Sequence, residues 1–81
     1  SKMKTTSLDE IVQLISPENL QEKLDIEGIA YNGLEAEDEV MLILEKKAKK
    51  KAFHFTEDDL EAATKIAIQE MRDWIDDNYE V

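Results

Sequence analysis

Four small polar side chains punctuate this chain, and each stands directly before a stretch of periodic apolar residues: Ser7, Ser16, Asn32 and Thr56. Three of them carry an acid three positions on, Ser7 with Glu10, Asn32 with Glu35 and Thr56 with Asp59, while Ser16 is followed by Pro17. Such a side chain accepts hydrogen bonds from the orphan N–H groups of a first helical turn. The acid favours the positive end of the helix dipole, and proline suits the first helical position. Met four times in succession, the pattern predicts an all-α fold of four helices, two short and then two longer.

The first helix is expected over 8–15, with Leu8, Ile11, Val12 and Ile15 on one face. It stops before Pro17, because the residue preceding a proline is driven out of helical geometry. A second short helix over 17–24 places Leu20 and Leu24 one turn apart. The stretch 25–33 contains Gly28, the β-favouring Ile26, Ile29 and Tyr31, and an Asn-Gly pair; it reads as an extended link. The third helix, over 34–51, has Glu35, Glu37, Asp38 and Glu39 at its front and Lys46, Lys47, Lys49, Lys50 and Lys51 at its rear. That is the order a helix dipole favours. Its centre, Val40–Leu44, is apolar on every side and also suits a buried strand; length and charge order decide for helix. The fourth helix, over 57–78, is the clearest. Leu60, Ala63, Ala67, Met71, Trp74 and Ile75 fall on one side, and Asp58, Asp59, Asp73, Asp76 and Asp77 on the other. A small extended pairing of 29–31 with 53–55 is compatible with this plan, although a lone pair of strands is marginal.

At 81 residues the chain is expected to form one small domain spanning 1–81, with 1–6 disordered or left over from cloning and Met3 as the natural start. Cysteine is absent, which excludes disulfides, thiol catalysis and cysteine-based zinc sites. The longest apolar run, Val40–Leu44, is far short of the roughly 20 residues that span a bilayer. With no secretory leader pattern either, a soluble cytoplasmic protein is the expectation.

Catalytic chemistry finds little to work with. His54 is the single histidine and no Gly-x-Ser-x-Gly turn accompanies a serine, so a nucleophile–base set is not expected. Two glycines in the whole chain leave no phosphate-cradling loop. A calcium-loop count from Asp25 puts Ile29, Ala30 and Ala36 at the fifth, sixth and twelfth positions, where an oxygen ligand, glycine and glutamate are needed. Asp76, Asp77, Asn78 and Glu80 promise weak surface binding of a cation at most. No enzyme activity, cofactor or metal site is expected.

The formal net charge of −10 works against nonspecific nucleic-acid binding and against anionic membrane surfaces. The expected function is a noncatalytic, acidic interaction or regulatory protein. It would bind a protein partner, or itself as a homodimer, through an apolar helix face. The candidate contact residues are Leu42 and Ile66, which fall off the main apolar faces, and Met71, Trp74 and Ile75, with Tyr79 and Val81 beyond. One alternative is an acidic mimic of DNA that occupies a DNA-binding protein. Another is nucleic-acid or anion binding through Lys46, Lys47, Lys49, Lys50 and Lys51, next to Phe53, His54 and Phe55. The lysine-only composition of that cluster, without arginine for bidentate contacts, counts against this last reading.

Overall fold

The computed structural model describes residues 6–79, which form four helices: α1 (Leu8–Val12), α2 (Pro17–Glu27), α3 (Leu34–Lys50) and α4 (Glu57–Tyr79). The class is all-α, two short helices followed by two longer ones, and no strand occurs among the described residues.

Three of the four expected caps are in place. Ser7 Oγ accepts from the Glu10 N–H at 3.3 Å while the Glu10 carboxylate accepts from the Ser7 N–H at 3.1 Å. Ser16 Oγ accepts from the Asn19 N–H at 3.2 Å, with Pro17 opening α2. Thr56 Oγ1 accepts from the Asp59 N–H at 3.1 Å, and Asp59 returns the bond to the Thr56 N–H at 3.0 Å. The fourth is different. Gly33, not Asn32, occupies the cap of α3, without a side-chain hydrogen bond. Glycine is tolerated there at a cost of only a few tenths of a kcal/mol.

The helix ends also depart from expectation. α1 closes at Val12, not 15, because Ser16 must be extended to cap α2; the Leu14 N–H already turns back to the Ile11 carbonyl at 3.1 Å. α2 runs on to Glu27, three residues past Leu24, and is stopped by Gly28 in the left-handed conformation, φ 69°. There the Ile29 N–H bonds the Leu24 carbonyl at 2.9 Å and the Gly28 N–H bonds that of Asp25 at 3.1 Å. α3 ends the same way: Phe53 N–H bonds Ala48 O at 3.0 Å and Ala52 N–H bonds Lys49 O at 3.1 Å. The left-handed residue here is Ala52, φ 57°, although an L side chain is disfavoured in that region.

α4 is the spine. α1, α2 and α3 all pack on it, and α3 and α4 form a hairpin closed by residues 51–56. α3 contributes Ala36, Val40, Leu44 and Ala48, one residue every four, each fully buried. Ala36, Val40 and Leu44 of this ridge meet Leu60, Ala63, Ala67, Ile68 and Met71 of α4, together with Ile11, Val12 and Ile15 of the first segment and Leu20 and Leu24 of α2, in one cluster. The alanines of both helices keep the backbones close. Thr64, the buried polar residue, donates its hydroxyl to the Leu60 carbonyl at 2.8 Å.

The extended pairing of 29–31 with 53–55 is not formed. The two segments flank opposite ends of α3, whose 17 residues separate them by about 25 Å. Instead the second segment is held by Thr6: its N–H donates to the His54 carbonyl and its Oγ1 accepts from the His54 N–H, both at 3.0 Å. The rest of the 1–6 segment, residues 1–5, lies outside the described residues.

The two left-handed residues make opposite predictions. Ala52→Gly should raise stability by about 0.5–1 kcal/mol, and Gly28→Ala should lower it by about 1 kcal/mol. Urea midpoints at unchanged slope measure both, and an Ala52→Gly midpoint at or below wild type would contradict the strain at that turn.

Candidate protein-interaction surface

α4 is covered on one side by three helices, and among the described residues four large aliphatics stay outside the core they form: Leu34 is 78%, Ile26 77%, Leu42 51% and Ile66 37% exposed. Leu42 and Ile66 were both visible as off-face residues. Ile26 and Leu34 were not. Ile26 falls in the expected extended link over 25–33; with α2 running to Glu27 it stands two residues past Leu24, turned about 160° from it and edging the grooves that hold Trp74 and Ile43. The left-handed cap glycine was the signal that would have placed it. Leu34 opens α3 two residues before Ala36, hence also away from the ridge.

The Met71, Trp74 and Ile75 group divides. Met71 is fully buried in the core and presents nothing to a partner. Trp74 is half-buried and lines a groove with Glu18, Gln21, Glu22, Asp25 and Ile26 of α2. Ile75, also half-buried, lies on another side of α4 beside Ala30, Tyr31, Asn32 and Arg72. There the Tyr31 hydroxyl donates to the Asp25 carboxylate and ties the α2–α3 loop back onto α2. Val81 lies outside the described residues.

The lysine cluster does not form one face. Lys46, Lys49, Lys50 and Lys51 are exposed, whereas Lys47 is half-buried in a groove with Leu14, Ile15 and Asn19. Consecutive helical residues are about 100° apart, so the five amines fan out around the end of α3. Lys49 is paired with Glu45 at 3.5 Å, an exposed i,i+4 contact of modest value. His54 is exposed between the half-buried Phe53 and Phe55.

α2 and α3 both rest on α4 and leave between them a groove lined by Lys23, Ile26, Glu27, Glu39 and Ile43. Two carboxyl groups meet there. A hydrogen bond with Glu27, partial burial and the like charge of Glu27 hold the Glu39 carboxyl above its ordinary range, against the opposing pull of Lys46 and with a further push from Glu35. The sign of the linkage follows. A carboxyl that binds its proton more tightly in the folded chain contributes stability that is fully present below its ordinary value of 4.5 and is lost as pH rises through the folded value. Glu39→Gln should therefore stabilise the protein at pH 7 by about 0.5 kcal/mol, the scale of a solvent-screened charge contact. That gain should vanish well below pH 4.5, where the Glu39 carboxyl is protonated and uncharged; an equal gain at both pH values in urea unfolding would rule out the charge mechanism.

Among the described residues no helix is long and apolar enough to cross a membrane. Compared with known protein families, with curated proteins and with solved structures, the chain matches none.

Proposed function

We propose that this is a noncatalytic interaction module that engages another protein chain through the outer face of α3. The observation that carries this reading is the position of Leu42, half exposed at the centre of α3 and directly opposite the Ala36–Val40–Leu44–Ala48 ridge. Leu34, the most exposed of the large aliphatics, lies on the same helix. Singly exposed apolar residues are ordinary on protein surfaces. Leu42, on the side of a helix whose opposite side is fully used, supplies an anchor of the kind that interfaces bury; half exposed as it stands, it would contribute about 1 kcal/mol when covered, with Leu34 about 80° round the helix as a flanking contact.

The two alternatives draw less support. Mimicry of DNA calls for an unbroken line of carboxylates, and the acids of α4 are interrupted by Lys65, itself paired to Glu61 at 3.7 Å, and by Arg72. Anion binding through Lys46–Lys51 calls for convergent amines, and these diverge around a helix end.

Leu42→Lys tests the proposal. An exposed position should change folding stability by no more than about 0.5 kcal/mol. Capture of the partner from native lysate by the wild-type chain should fall by more than about tenfold, as loss of a central anchor implies. Equal capture by a folded Leu42→Lys variant would remove α3 from the interface.

A further inference from the structure

The outer face of α3 has a second property, in its charges. The helix spans Leu34–Lys50 and Leu42 is its central residue. Reading outward along the exposed stripe, Asp38 and Lys46 stand four residues to either side of Leu42, and Glu35 and Lys49 seven residues to either side. Steps of four and seven residues rotate by about 40° and 20° from the starting direction, so all five point the same way. The stripe is locally neutral, two acids and two lysines, on a chain of net charge −10. Its sign reverses at Leu42.

We infer that this face pairs with the same face of a second copy, the two α3 helices running antiparallel about a two-fold axis at Leu42. The inference rests on reading the face as a contact surface. A two-fold axis there sets Leu42 against the partner's Leu42, Asp38 against the partner's Lys46, and Glu35 against the partner's Lys49, each pair occurring twice as an isologous interface requires. A parallel pairing sets acid on acid and lysine on lysine. On the flanks, about 60° round the helix from Leu42, Glu39 comes opposite the partner's Glu45, a solvent-screened like-charged pair that lowers the affinity of the dimer. One pair of helices about 25 Å long buries less than the ~1,200 Å² typical of stable complexes, so the dimer is weak and reversible, half-formed near ~100 µM.

The charge pattern supplies a decisive experiment by sedimentation equilibrium across that concentration range. Wild type should dimerise. Asp38→Lys and Lys46→Glu should each weaken self-association by at least about tenfold, since each places two like-charged pairs across the axis. An equimolar mixture of the two variants should dimerise again, because both cross-axis pairs are then opposite in sign. Glu35→Lys mixed with Lys49→Glu repeats the test at the outer pair should either inner variant fold poorly. A wild-type chain monomeric throughout, or a mixture of folded variants that stays monomeric, overturns the pairing. A dimer lost with Leu42→Lys but indifferent to the charge reversals overturns the antiparallel register while leaving α3 as a contact surface. The proposed function itself falls only if partner capture survives Leu42→Lys.

Discussion

A helix that must serve three neighbours at once needs a wide contact stripe with little bulk near its axis, and α4 meets that demand with Ala63, Thr64 and Ala67 between Leu60 and Met71. α1, α2 and α3 have few contacts with one another compared with those each makes to α4. Most of the other features of the molecule follow from this arrangement. α3 has a single four-residue ridge because it faces one partner. α2 and α3 leave a groove because each is fitted to α4 and not to the other. The aliphatics that face outward do so because no further element among the described residues covers them.

Charge is arranged around this frame. The acids of α3 stand at its front and the lysines at its rear, matching the helix dipole and giving the helix two ends of opposite sign. The place where the arrangement works against folding is the α2–α3 groove, where Glu27 and Glu39 are brought together. A chain of net charge −10 tolerates one such contact because most of its carboxylates remain in water, where screening is effective.

Much of this was legible in the residues. The caps at Ser7, Ser16 and Thr56 mark three helix starts, and the spacing of Leu60, Ala63, Ala67 and Met71 marks the buried side of α4. The off-face positions of Leu42 and Ile66 also came from periodicity alone. What escaped has identifiable causes. α2 was cut short because Ile26 favours extended structure by intrinsic preference, and the left-handed glycine after it outweighs that preference. The end of α3 uses an alanine where glycine is the usual signal, so no residue type announces it. The burial of Met71 separates it from Trp74 and Ile75, a sorting that needs the neighbours of α4 and not its own sequence. The clasp between Thr6 and His54 joins residues 48 apart through backbone groups, which every residue carries and no pattern betrays.

Trp74 is the sole tryptophan, and it sits half-buried at the seam where α2 rests on α4. Its indole shares a groove with Gln21, Asp25 and Ile26 and with no residue of α1 or α3. Tryptophan fluorescence, excited apart from the two tyrosines, consequently reports chiefly on this one seam of the bundle. Emission that shifts to the red while far-ultraviolet ellipticity holds steady signals α2 peeling from a spine that α3 still grips, so the chain carries its own optical gauge of partial opening.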